Sequence, residues 1–302
     1  VRLQGGGGSD LQVARAYATV QFPWDITANF GRFPLDWEGA FYATDFAGYM
    51  MNDAYVTDYD PMATAIWFQK PFSMGSFEMF VAHDEYDDYS DYYRYGARLA
   101  FDMNENLGLA VNYVKYDFQA GDNFSTLWGD IIVNFNENVA FKGQYFMEDR
   151  DPYWAMDDSP TAWKAILTFS QDMLKFTDLW VEYAQLDQGF AFADHRDPYA
   201  WTYGETSPYL SEGGFCNYTR YDTNILNIVA KQKWNDQWWT YVRYINVDAD
   251  DDNYSYSGYT ASVRYNYTPN LWFELGYDKV DPDWDAGDFG DNMVWFRTTV
   301  NF

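Results

Sequence analysis

Asp291-Asn292-Met293-Val294-Trp295-Phe296-Arg297-Thr298-Thr299-Val300-Asn301-Phe302 ends the chain, and its two interleaved residue sets decide the fold. One set, Val294, Phe296, Thr298, Val300 and Phe302, is mainly apolar. The other, Met293, Trp295, Arg297, Thr299 and Asn301, is more polar. Successive side chains of a strand point to opposite faces, so a period of two with unlike sets describes a strand between two different surroundings. The same period continues upstream. Leu271, Phe273, Leu275 and Tyr277 alternate with Trp272, Glu274, Gly276 and Asp278. Tyr259, Ala261, Val263, Tyr265 and Tyr267 alternate with Thr260, Ser262, Arg264 and Asn266. Thr268-Pro269-Asn270 makes a tight turn between those two segments.

Trp234-Asn235-Asp236, Gln171-Asp172-Met173, Asn136-Glu137-Asn138 and Asn104-Glu105-Asn106 each join two similar segments in the same way. Between these hairpins lie longer acidic connections rich in Tyr, Gly and Pro, at 84–90, 119–123, 150–159, 188–220, 249–253 and 282–289. Short and long connections alternate without a break. An up-and-down barrel of the outer membrane has short periplasmic turns and long external loops, whereas a soluble sandwich with Greek-key crossings has no reason to keep that rhythm. The alternation therefore predicts an all-β chain, a transmembrane antiparallel up-and-down β-barrel occupying 1–302 as one domain. Strands are expected from 11–21 and 25–33 through 174–187 to 290–302, with Val1-Arg2-Leu3-Gln4 as the tail of one more, about 16 in view. Even strand numbers bring both termini to the periplasm. We expect 16 or 18 strands in total and a protein that extends upstream of Val1.

Composition narrows the function classes. The 302 residues carry a net charge of -27, and 28 Tyr, 24 Phe and 14 Trp suit the aromatic girdles of a membrane barrel. No apolar run is long enough for a spanning helix. An acidic chain without a basic stripe repels nucleic acid, and it lacks the polybasic patches of a peripheral lipid binder. Cys216 is the only cysteine, which excludes an intrachain disulfide and a thiolate metal cluster. Glu182 and Asp187 lie five apart and so face opposite sides of a strand, and no nucleophile elbow, zinc helix or phosphate loop is present. We expect no enzyme, no cofactor and no resident metal.

The more polar set of each strand would face a lumen. It collects the basic residues Arg15, Arg94, Arg98, Lys142, Lys164, Lys231, Arg243, Arg264 and Arg297, and the acidic residues Glu78, Asp130, Glu148, Glu182 and Glu274. At the bilayer midplane an Arg or Lys facing lipid costs about 2–4 kcal/mol, a cost absent in a hydrated interior. Mutual pairing that merely fills the barrel is the plain alternative to a role in permeation. One connection differs from the rest. After Gly31-Arg32-Phe33, segment 34–60 holds Asp36, Glu38, Asp45, Asp53, Asp58 and Asp60 beside Trp37, Phe41, Tyr42, Phe46, Tyr49, Met50 and Met51. It is too apolar for a free external loop and is expected to fold into the barrel.

On these features the chain resembles the general porins of bacterial outer membranes. In that family a strand ending in Gly-Arg leads into a loop that narrows the pore, its acidic residues facing basic residues of the wall. The resemblance implies Asp36, Glu38, Asp45 and Asp53 on the loop, Arg94, Arg98, Arg264 and Arg297 on the wall, passive diffusion of ions and small hydrophilic solutes, and a homotrimer in outer-membrane lipid. The Tyr/Trp/Asp-rich style is also similar to porins tethered to the cell wall through an upstream S-layer-homology domain. Two rival roles stand beside the general pore. Trp239, Tyr241, Trp272 and Trp295 fall on the polar face and could form an aromatic track in a sugar-specific channel, or the chain could serve mainly as a tether between outer membrane and cell wall. The acidic loops, notably Asp248–Asp252 and Asp281–Asp288, favour cations at the mouth. They are oxygen-rich enough for weak Ca2+ binding, although a solvated acidic surface is the better account of them.

Overall fold

The computed structural model describes residues 2–4, 12–34, 62–86, 90–118, 123–150, 159–190, 221–250, 255–282 and 292–300. Sixteen strands form one sheet in chain order. They are β1(Arg2–Gln4), β2(Gln12–Phe22), β3(Ile26–Pro34), β4(Met62–Phe72), β5(Gly75–Tyr86), β6(Ser90–Asn104), β7(Leu107–Phe118) and β8(Phe124–Asn136). There follow β9(Val139–Arg150), β10(Thr161–Phe169), β11(Asp178–Leu186), β12(Thr223–Lys233), β13(Trp238–Ala249), β14(Tyr256–Thr268), β15(Leu271–Pro282) and β16(Asn292–Val300). Each strand is antiparallel to the next, as an up-and-down barrel requires. Among the described residues no helix is long and apolar enough to cross a membrane.

Short connections join β4 to β5, β6 to β7, β8 to β9, β12 to β13 and β14 to β15. Several close on an asparagine. The Asn104 and Asn136 side chains each accept from the backbone N–H two residues on, at 2.8 Å, and Asn235 does the same for Gln237. Such Asx turns replace a ladder bond where the chain reverses. One connection departs from the expected tight turn. Residues 171–174 form a single helical turn, α1(Gln171–Leu174), not a three-residue reversal, and the next strand starts at Asp178 instead of 174. Ser170 is the reason. Its side chain accepts from the Met173 N–H and caps the turn, and Lys175 ends it in the left-handed region at φ 69°. Between β2 and β3, Pro23–Asp25 make a 3-10 turn, with Trp24 exposed and left-handed at φ 66°.

The two faces of the sheet are chemically opposite. Directly paired residues share a face, so the register carries the inner set from strand to strand. The outer face shows Phe77, Met79 and Val81 on β5, Leu109, Val111 and Tyr113 on β7, Tyr145 and Met147 on β9, and Val294, Phe296 and Val300 on β16, all exposed. A soluble protein would not spread so much exposed apolar surface over strand after strand, whereas a lipid-facing wall must. The inner face is polar or buried apolar. Within the described residues of β16 and in the two preceding strands the expected alternation is reproduced, with Trp295, Trp272 and Glu274 inward and buried.

Candidate functional site

The inner wall is organised in two tiers. The first is a polar belt. Arg98 donates to Asn112 at 2.9 Å, and Asn112 donates to Asp130 at 2.8 Å. Gln144 donates to the other Asp130 oxygen at 2.7 Å, and Arg98 itself lies 3.5 Å from Asp130. Lys164 and Glu182, both fully buried, are 3.9 Å apart, and the Trp180 indole donates to Glu182 at 3.0 Å. Arg243 donates to Asn227 at 3.1 Å. Glu274 accepts from Ser262 at 2.7 Å and from Arg297 at 3.1 Å. From strand to strand the belt passes either to the directly paired residue, as from Asp130 to Gln144, or to one two positions along, as from Lys164 to Glu182. Barrel strands tilt by roughly 35–45°, so a ring at constant height must slip along the register in this way.

Towards the short turns the belt becomes basic and aromatic. Arg264 stacks over the Trp272 ring at 3.4 Å, and Arg297 lies over the same ring at 4.5 Å. Lys231 and Lys233 lie over Trp239 at 4.4 and 5.7 Å. Glu78, on the inner face of β5, accepts from the Trp67 indole at 3.2 Å; at the opposite, long-loop ends of β8 and β9, Thr126 donates to Glu148 at 3.0 Å.

The second tier lies on the long-loop side of the belt and is apolar. Tyr116, Trp128, Phe146, Leu186, Ile225, Val247 and Tyr256 form one buried cluster there. Phe190 completes it from the connection that follows β11. Asp187 and Asp222 hold this connection. Asp187 accepts from both the N–H and the hydroxyl of Thr161, and Asp222 accepts from the Gln188 N–H at 2.7 Å. The chain then turns at Gly189, φ 88°, and drops Phe190 against Phe146, with ring centroids 5.9 Å apart. Burying such a ring contributes about 1.5–3 kcal/mol.

The structure places Arg94, Arg98, Lys142, Lys164, Lys231, Arg243, Arg264 and Arg297 on the inner face, together with Glu78, Asp130, Glu148, Glu182 and Glu274. The Arg15 side chain and the loop residues Asp36, Glu38, Asp45 and Asp53 lie outside the described residues, as does Phe302. Trp239, Tyr241, Trp272 and Trp295 face inward. The inward turn at Phe190 escaped sequence reading. Its signal is short: a glycine before an aromatic, between two aspartates that flank an acidic loop. Among the described residues no group of three or more His, Cys, Asp or Glu is arranged to hold a metal ion.

The chain matches no protein-family model and no curated protein. Among solved structures it is similar to the outer membrane protein OprD from Pseudomonas aeruginosa, with a TM-score of 0.53 and 12% identity over 91% of this chain and 74% of that one. It is similar also to OccD3 (OpdP) of the same organism, with a TM-score of 0.56 and 13% identity over 97% and 78% of the two chains. A third is OccK11 (OpdR), again from P. aeruginosa, with a TM-score of 0.59 and 8% identity over 91% and 76%. At these identities the likeness is one of fold, and the fold is the outer-membrane β-barrel.

Proposed function

We propose that this chain is an outer-membrane channel through which ions and small hydrophilic solutes diffuse passively. One observation carries the reading: across consecutive strands the outward side chains are exposed and apolar while the inward ones carry charges of both signs. Charges on an inner wall are useful only if water reaches part of the lumen, since a dry barrel is filled more stably by apolar side chains. The similarity in fold to barrels of the outer membrane supports the location. Passage requires no cofactor and no bond making.

The aromatic-track reading is weakened by the same geometry. Trp272 and Trp295 are buried, and a guanidinium already covers the Trp272 face at 3.4 Å, where a sugar ring would have to stack. A homotrimer, constriction by segment 34–60 and a tether through an upstream domain remain extensions of the proposal, carried by the resemblance to porins. The deciding measurement is single-channel conductance of the purified chain in a planar bilayer. Discrete, ohmic steps are expected, and block by oligosaccharides should be weak. A chain that inserts and folds yet passes no current would defeat the proposal.

A further inference from the structure

The outward wall carries a cation without a carboxylate partner. Phe33 lies in the buried inner cluster, and Asn29, on the same face of β3, pairs with Trp67, which packs against that cluster. Arg32 therefore points outward. It pairs across the sheet with Thr64, Thr64 with His83, and His83 with Tyr93. Ile66 and Val81, on the same outward face, are exposed and apolar. Arg32 is half-buried, and its Nε is enclosed without a hydrogen-bond partner. Among the described residues no carboxylate pairs with it. The outward lysines at this end of the barrel differ. Lys279 is ion-paired with Asp281 at 2.5 Å, and Lys115 shares its face with Asp117 two residues on.

The slip of the belt gives the height of Arg32. From strand to strand the belt steps either no position or two positions towards the short turns, so about one on average. Direct pairing leads from Arg32 to Asp117 on β7, and four strands of slip lower that level to Tyr113. Tyr113 belongs with Tyr145, Trp163, Tyr183 and Tyr277 to the exposed aromatic girdle on the long-loop side. The polar tips of three of these rings mark the water boundary. Trp163 donates to Gln185 at 3.0 Å, Tyr183 to Asn224 at 3.0 Å and Tyr277 to Asn292 at 2.5 Å. Arg32 thus stands in the girdle that faces the outer leaflet.

We propose that Arg32, with the Thr64 hydroxyl beside it, binds the phosphate of an outer-leaflet lipid. The inference concerns the outward wall and goes beyond the channel reading without depending on it. A cation facing lipid needs a counter-charge, and a phosphate matches the fork of guanidinium N–H donors. Ala16 and Thr64 flank Arg32 directly and bring no acid. Below them, Ile66 and Val81 offer apolar surface to acyl chains. A lipid uses both parts of this surface, whereas a free phosphate uses only the first.

The test measures lipid retention. Full chains folded in non-ionic detergent are titrated with diphosphoryl lipid A or with its dephosphorylated form, and bound lipid is counted by native mass spectrometry. The folded band on unheated gels verifies each variant. Wild type should retain the diphosphoryl form in preference, and inorganic phosphate at equal concentration should not displace it. Arg32→Gln should weaken retention about tenfold, and Arg32→Lys should restore part of it. Lys142→Gln removes the same charge from the inner face and should leave retention unchanged. Equal retention by wild type and Arg32→Gln overturns the site. An equal loss in Arg32→Gln and Lys142→Gln reduces the effect to net charge and overturns it too. Indifference to lipid phosphorylation overturns the phosphate, and displacement by inorganic phosphate overturns the lipid as the ligand. A chain that retains lipid as expected yet passes no current defeats the channel reading alone.

Discussion

At the scale of single residues, the buried pair Lys164–Glu182 is the most demanding feature of the wall. Both side chains are fully buried, and the Trp180 indole adds a donor to the carboxylate. Removing one partner strands the other charge, which typically costs about 3–5 kcal/mol, whereas replacing both with apolar residues is often neutral. Glu182→Gln should therefore lower stability by about 3 kcal/mol, and Lys164→Met with Glu182→Leu should recover most of it. Urea unfolding in lipid vesicles followed by tryptophan fluorescence reads both. Equal stability of Glu182→Gln and wild type would show that water already reaches the pair. Two glycines serve packing. A Cβ at Gly276 would stand 2.0 Å from the Trp295 ring, and one at Gly96 would stand 2.1 Å from the Phe80 ring. Each ring lies across its glycine on the neighbouring strand, so Gly96→Ala and Gly276→Ala should each cost about 1–3 kcal/mol by overpacking. The same unfolding assay applies.

At the scale of elements, the turns set the register. Asn136 holds the β8–β9 reversal by accepting from the Asn138 N–H, and Asn138 also accepts from the Ser170 hydroxyl at 2.5 Å, linking neighbouring turns. Loss of such a local bond costs about 1 kcal/mol. Asn136→Ala should slow refolding into vesicles more than Asn224→Ala, on the outward face of β12, does, measured as the rate at which the folded band appears on unheated gels. Comparable rates would mean that strand pairing, not the turn, fixes this hairpin. Most of this level is legible in the chain itself, because a barrel strand is encoded by a local period of two and each turn by three residues. That is why alternation alone assigns Trp272, Glu274, Trp295 and Arg297 to one face. What is not local was not legible. The helical turn at Gln171–Leu174 depends on whether the Ser170 hydroxyl reaches the Met173 N–H, and the same four residues could equally have reversed as a plain turn. Phe190 turns inward because Asp187 meets Thr161 and Gln188 meets Asp222, partners 26 and 34 residues away. Likewise, alternation shows that a charge faces inward, but only the packed barrel shows that Arg98 and Asp130 are already committed to one another.

At the scale of the whole molecule, the distribution of charge bears on selectivity. The chain carries 46 acidic and 19 basic residues, yet its belt alternates in sign, with Arg98 beside Asp130, Lys164 beside Glu182 and Arg297 beside Glu274. Paired charges at close range cancel at the distance of a passing ion, so the belt contributes little net field. The excess of carboxylates acts elsewhere. Asp248 and Asp250, both exposed, stand where β13 ends on the long-loop side. Such groups enrich cations at the mouth over about a Debye length, which is roughly 10 Å at 0.1 M salt and 3 Å at 1 M. Two consequences follow if mouth charges, not belt charges, set ion preference. The reversal potential in a salt gradient should indicate weak cation selectivity at about 0.1 M that nearly vanishes at about 1 M, because screening then confines each carboxylate to its own surroundings. Asp248→Asn with Asp250→Asn should reduce the low-salt selectivity while leaving conductance at high salt unchanged. A selectivity that persists at high salt would place its source inside the lumen, in a belt charge that has lost its partner, and an anion preference would require the basic wall around Arg264 and Trp239 to outweigh the acidic mouth.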